Sequence, residues 1–162
     1  MEIYDDNRIN NMFMNETFQF ASFNQNNIRF PDGCMYEGQL KDGLPNGKGM
    51  LTLPDGKKYS GDFKGGKADG YGVMITPEGL RYEGNWQDGV ISGQVKCVFP
   101  NGDSYIGQLK EGRPHGFGCY SWKSGGSYEG QWKNGVLHGK GILTFPHGNK
   151  LIGQFKDGEF CD

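Results

Sequence analysis

The sequence predicts an all-β fold built from antiparallel β-hairpins that follow one another by internal repetition. Three observations lead there. Tyr36, Tyr59, Tyr82, Tyr105 and Tyr128 stand 23 residues apart, and Leu151 continues the series. Apolar and polar residues alternate within each copy, as in "YEGQWK" at Tyr128–Lys133, which is the period of a half-buried strand. Between the alternating runs lie Asp32-Gly33, Asp55-Gly56 and Asn101-Gly102, all hairpin turn signals.

Taken in order, residues 1–27 show no repeat. They are rich in Asn and carry Phe13, Phe18, Phe20 and Phe23, more rings than a solvated tail usually holds. This segment reads as a cap or docking arm that either folds over the aromatic face or docks on another subunit. The repeat array occupies 28–162. It opens with a half copy, "IRFPDGCM" at Ile28–Met35, whose Ile28–Phe30 is the first strand of an N-terminal cap. Five full copies run from Tyr36 to Lys150 without insertion, and a truncated sixth runs from Leu151 to Asp162. Each copy reads as two strands, so about twelve strands are expected. The last copy ends without its hairpin partner, and an open edge is a template for self-association.

Glycine is the compositional outlier, with 29 residues. Gly38, Gly61, Gly84, Gly107, Gly130 and Gly153 fall two places after the repeat tyrosine or its Leu151 equivalent. They share its face, so neighbouring rings can lie over bare backbone there. A second column holds Gly49, Gly72, Gly118 and Gly141, and Val95 departs from it in the third copy.

The run "YEGQWKNGVLHGKG" at Tyr128–Gly141 matches the pattern Y-E-G-x-W-x-x-G-x-x-H-G-x-G. From Ile28 onward the chain therefore resembles the MORN repeat family. The resemblance implies an elongated, twisted, single-layer antiparallel sheet with a groove. It implies no catalytic activity of its own. It also implies an interaction scaffold in cytoskeletal, ciliary or membrane-junction assemblies, or a module attached to an enzyme domain.

Composition narrows the partners. Net charge is −2, and from Pro31 on the acidic and basic residues balance. Nucleic acid would call for a basic surface, and the same balance disfavours capture of anionic lipid by charge. No apolar run is long enough for a spanning helix, and the polar start "MEIYDDNRIN" is unlike a secretory signal. Cytoplasmic residence follows as an expectation, with cytoskeletal or ciliary association implied by the resemblance. Cys34, Cys97, Cys119 and Cys161 contain no C-x-x-C pair and read as thiols.

Several chemical motifs are near misses. Gly61 to Ala68 approximates a phosphate-binding loop, but Ala68 stands where a magnesium-binding hydroxyl belongs. His115 and His138 share one repeat column and should stack roughly 9–10 Å apart, too far to share a zinc ion without another ligand. Glu37, Glu83 and Glu129 recur on alternate copies and read as a hydrated sheet face together with Gln39, Asp62, Gln108 and Lys133. No catalytic residue, cofactor or metal ion is expected.

The aromatic column is the candidate site. Trp86, Phe99, Trp122, Trp132 and Phe145 should line one face, with Phe63 in the same column. These rings either pack only on one another or form a docking surface for a protein partner, since Trp and Tyr dominate binding hot spots. The expected function is a non-enzymatic scaffold in a cytoskeletal or ciliary assembly. The alternatives are a membrane-associated tether and a targeting subunit for an enzyme on another chain. Growth by whole copies predicts an extended particle. Small-angle scattering should give a radius of gyration well above the roughly 15 Å of a compact chain this long; a value near 15 Å would reject the architecture.

Overall fold

The computed structural model describes residues 27–161. Those residues form thirteen strands: β1 (Asn27–Arg29), β2 (Met35–Lys41), β3 (Leu44–Thr52), β4 (Lys58–Lys64), β5 (Lys67–Ile75), β6 (Arg81–Gln87), β7 (Val90–Val98), β8 (Ser104–Lys110), β9 (Arg113–Ser121), β10 (Ser127–Lys133), β11 (Val136–Thr144), β12 (Lys150–Lys156) and β13 (Glu159–Cys161). No helix occurs among the described residues. The fold class is the expected one, an all-β antiparallel sheet of stacked hairpins. The Phe-rich segment that the sequence marks as a cap or docking arm lies outside the described residues, apart from Asn27.

The strands fall into two compact units, one up to Ile91 and one from Ser92 onward. The division lies in the third copy, the one with Val95 in place of a ladder glycine. In the first unit β1 to β6 lie side by side in chain order, each antiparallel to the next. In the second, the part of β7 from Gln94 pairs with β8, and β8 to β13 continue in the same way.

Two kinds of turn alternate. The tight one joins the two strands of a copy: Asp42 (φ 53°) and Gly43 (φ 79°) both lie in the left-handed region, as a two-residue type I′ turn requires. Asp-Gly recurs at 88–89 and Asn-Gly at 134–135. The longer turn joins successive copies. The Leu53 N–H donates to Lys57 O at 2.8 Å and the Gly56 N–H to Leu53 O at 2.9 Å, and the same pair of bonds recurs from Phe30, Thr76, Phe99, Trp122 and Phe145. Tight turns also lock onto the preceding copy. The Gly66 amide donates to Pro45 O, and the Gly135 amide to Pro114 O, both at 2.9 Å.

The first strands β2, β4, β8 and β10 each carry a bulge. Register slips between Gly38 and Leu40, Gly61 and Phe63, Gly107 and Leu109, and Gly130 and Trp132. The extra residue is Gln39, Asp62, Gln108 or Gln131. Its carbonyl leaves the ladder and accepts a hydrogen bond from the tyrosine three residues earlier: Tyr36 to Gln39 at 2.7 Å, Tyr59 to Asp62 at 3.1 Å, Tyr105 to Gln108 at 2.8 Å and Tyr128 to Gln131 at 2.9 Å. Its side chain turns back to the partner strand. Gln39 Oε1 accepts the Lys48 amide, Asp62 Oδ2 the Tyr71 amide, and Gln131 Oε1 the Lys140 amide. A bulge would otherwise strand those donors.

On the same face the glycines form a ladder straight across the strands: Gly38, Gly49, Gly61, Gly72 and Gly84 in the first unit, and Gly107, Gly118, Gly130, Gly141 and Gly153 in the second. The tyrosine rings lie on this ladder. A Cβ at Gly141 would sit 2.3 Å from the Tyr128 hydroxyl and 2.5 Å from its ring. Between successive tyrosines sits the fifth residue of the repeat. Phe63 meets Tyr36 and Tyr59 edge-on at 4.9 and 5.1 Å, Trp132 meets Tyr105 and Tyr128 at 5.5 and 5.2 Å, and Phe155 meets Tyr128 at 5.1 Å. Edge-to-face pairs of this kind contribute about 0.5–1.5 kcal/mol beyond their area.

Two outcomes test this packing. Gly141→Ala should destabilise the sheet by about 1–3 kcal/mol in urea unfolding, because the Tyr128 ring has nowhere to move. Gly65→Asn should be neutral or slightly stabilising, since Gly65 has φ 55° and open space around it and Asn tolerates that conformation. Burial pushes the Tyr36 hydroxyl up to about 12 and raises those of Tyr59, Tyr105, Tyr120 and Tyr128 as well. The unfolded chain, with tyrosines near about 10, therefore ionises first. This contribution is whole below pH ~10 and is lost as pH rises toward and beyond ~12. Tyrosinate absorbance from these rings should appear together with loss of near-ultraviolet dichroism; ionisation near pH ~10 with the dichroism intact would show that they are accessible.

Candidate functional site

The five rings singled out by sequence do not share one environment. Trp86 and Trp132 are buried. Each indole N–H donates to a ladder carbonyl, Trp86 to Gly72 O at 3.2 Å and Trp132 to Gly118 O at 3.1 Å. Trp86 meets Tyr59 edge-on at 5.0 Å. Phe99 and Trp122 are half-buried and flank Tyr120 at 5.7 and 5.2 Å, with Trp132 on that same ring at 6.2 Å. Phe145 is 41% exposed. In the second unit the ring face thus offers Phe99, Trp122 and Phe145, seated where each longer turn begins.

The opposite face is less hydrated than its Glu, Gln and Lys columns suggest. In the second unit one row runs Ile106, Cys119, Glu129, Ile142, Ile152 across five strands. Beside it Phe117 pairs with Gln131, and Lys140 with Gln154. Ile152 is 67% and Phe117 58% exposed. Together with Ile142, Glu129, Lys140 and Gln154 they line a groove of about 340 Å³. In the first unit the same face has a hollow of about 770 Å³. Asn27 faces Glu37 there, Glu37 faces Met50, and Met35 sits between Arg29 and Thr52.

Sequence reasoning missed these apolar groups. The signal was Ile106 and Ile152 standing in the column that holds Glu in alternate copies, together with Phe117, which stands alone among polar neighbours. It also missed the structural role of Gln39, Asp62 and Gln131, which close the bulges. Of the recurring glutamates, Glu83 accepts hydrogen bonds from the Tyr71 hydroxyl and the Arg81 guanidinium.

The remaining chemical motifs have structural explanations. The Gly61–Ala68 run leads into strand β5 and not into a helix, and Lys67 pairs with Asp88 at 3.4 Å. His115 and His138 lie in β9 and β11. The His138 ring comes within 3.8 Å of Asp157. Among the described residues no group of three or more His, Cys, Asp or Glu is placed to hold a metal ion. Cys34 and Cys97 are buried, and burial pushes both thiols up to about 12, far from the thiolate a nucleophile needs.

Comparison with solved structures returns TCP domains. The TCP domain of Drosophila melanogaster SAS-4, solved in complex with a proline-rich motif of Ana2, is 18% identical; the match covers 80% of this chain and 83% of that one, with a TM-score of 0.38. The TCP10c domain of Drosophila melanogaster Sas-4 is 15% identical, with 80% and 91% covered and a TM-score of 0.45. The TCP10 domain of Danio rerio CPAP is 19% identical, with 79% and 71% covered and a TM-score of 0.37. No curated protein matches. The family model for the MORN repeat matches five consecutive stretches, 36–58, 59–81, 82–104, 105–127 and 128–150. These are the five copies that carry the tyrosine, glycine and turn pattern described above, they make up most of the chain, and the protein belongs to the MORN repeat family.

Proposed function

We propose that this array is a non-enzymatic scaffold that docks protein partners on its sheet faces, as a subunit of a cytoskeletal or ciliary assembly. The docking half rests on one observation: Phe117, Ile142 and Ile152 line a groove on the face that the repeat does not use for its own packing. Covering such a patch gains about 25 cal/mol per Å² of apolar surface before association costs. Glu129 and Lys140 beside it supply polar groups that fix orientation. The ring face is a second surface, through Phe99, Trp122 and Phe145. Trp132 supports that patch through Tyr120, whereas Trp86 packs on Tyr59 within the first unit. Only family membership supports the cytoskeletal setting. A membrane tether is the alternative the family offers, and the near-neutral charge weighs against it. A targeting role for an enzyme on another chain remains a separate reading with the same docking surface.

Pull-down from native extract tests the proposal with four folded chains: wild type, Phe117→Ser with Ile152→Ser, Trp122→Ala with Phe145→Ala, and Lys133→Ala. Cytoskeletal or axonemal proteins should be recovered by the wild type and by Lys133→Ala. Recovery should fall about tenfold or more with the groove variant, the scale of a hot-spot loss. Loss confined to the Trp122 and Phe145 variant moves the site to the ring face. Co-sedimentation with liposomes in the absence of protein partners would replace the scaffold reading by the tether.

A further inference from the structure

The groove of the second unit crosses the strands. Phe117 stands in β9, Glu129 in β10, Ile142 in β11 and Ile152 in β12, so it extends about 14 Å at a strand spacing of ~4.8 Å. Strands β9, β10 and β11 each pair with a neighbour on both sides. The floor therefore presents side chains and no free backbone ladder. An extended peptide laid across it would cover its own amides without pairing them, which is costly. A helix pairs its amides internally, and about ten residues of it span ~14 Å. The charge pattern adds a second constraint. Glu129 faces Cys119 on one side and Ile142 on the other, and its carboxylate has no hydrogen bond or ion pair among the described residues. Glu83, in the same column, is already engaged by Tyr71 and Arg81. An apolar cover would strand the Glu129 charge unless it brought a cation.

We propose that this groove receives an amphipathic helix of a protein partner, with a Lys or Arg set in its apolar stripe over Glu129. Phe117, Ile142 and Ile152 take the apolar residues, which such a helix presents at i, i+3 or i+4, and i+7. A second copy of this chain is a poorer occupant, because its described residues hold no helix to offer. This inference rests on the docking reading of the same groove and names the partner's chemistry.

Selection of random peptides displayed on phage, each of about sixteen residues or four helical turns, tests it against the full chain. Counter-selection uses the folded chain carrying Phe117→Ser and Ile152→Ser. Wild type should enrich sequences of helical apolar period with one Lys or Arg within the stripe. Glu129→Arg should enrich Asp or Glu at that place instead. A selected peptide, made synthetically, should gain helical far-ultraviolet dichroism on binding. Its affinity, read by fluorescence anisotropy, should fall about tenfold with Glu129→Gln, a variant that keeps the side chain's shape. Near-ultraviolet dichroism checks that each variant is folded. Selected sequences with strand alternation, or peptides indifferent to the residue at 129, overturn the proposal and leave the groove a docking site. If no peptide distinguishes the wild type from the Phe117 and Ile152 variant, the proposal and the docking reading of the groove fall together.

Discussion

A buried tyrosine needs a place for its ring and a partner for its hydroxyl, and in this sheet both come from the backbone. The ring rests on cross-strand glycines such as Gly38 and Gly49 beneath Tyr36. The hydroxyl reaches a carbonyl that is available only because the strand bulges at Gln39. The bulge in turn requires a side-chain acceptor for the amide of Lys48, which Gln39 also supplies. Ring, glycine, bulge and amide acceptor thus form one indivisible set. Replacing the glycine blocks the ring, and straightening the strand removes the hydroxyl's acceptor. That interdependence explains how a single layer buries its rings without an opposing sheet. Phe63 and Trp132 complete the cover by filling the space between successive tyrosines.

The arrangement divides the labour between the faces. The ring face is specified at nearly every position by packing and leaves little to vary. The opposite face is fixed at Gln39, Asp62 and Gln131, which close the bulges. Its other positions tolerate Glu129, Cys119, Ile142 or Ile152 in one row, because none of these side chains holds the fold together. Departures from the polar pattern there need a reason other than folding, and Phe117 is the largest of them.

Much of the fold was legible in the sequence, since the 23-residue frame is a direct image of strand, turn, strand, turn. The two-strand copy and the place of glycine beneath the rings follow from period and column alone. The fate of individual rings was not legible. Trp86, Trp132 and Phe145 are all large aromatic residues expected on one face. Yet the indoles of Trp86 and Trp132 find carbonyls at Gly72 and Gly118 within the ladder, whereas Phe145 stands at a turn with fewer neighbours. Burial here depends on three-dimensional spacing between copies, which a column of letters does not carry. The bulges were hidden for a related reason. An extra residue in one strand does not change the repeat length, so Gln39 reads as an ordinary polar position. The hydrated reading of the opposite face failed where two copies carry isoleucine in the glutamate column, at Ile106 and Ile152.

One contact that joins neighbouring copies recurs at four junctions. A tight-turn glycine amide meets the carbonyl of the residue at one fixed place in the copy before it, Pro45 for Gly66, Ala68 for Gly89, Pro114 for Gly135 and Leu137 for Gly158. An intact copy could therefore be duplicated or lost, and its neighbours would still find the socket they expect. Lineages descending from such an array can change the number of copies in one genetic event without first evolving a new core. The side chains on the face opposite the rings are then free to diverge, each new copy beginning as a duplicate of a surface already in use.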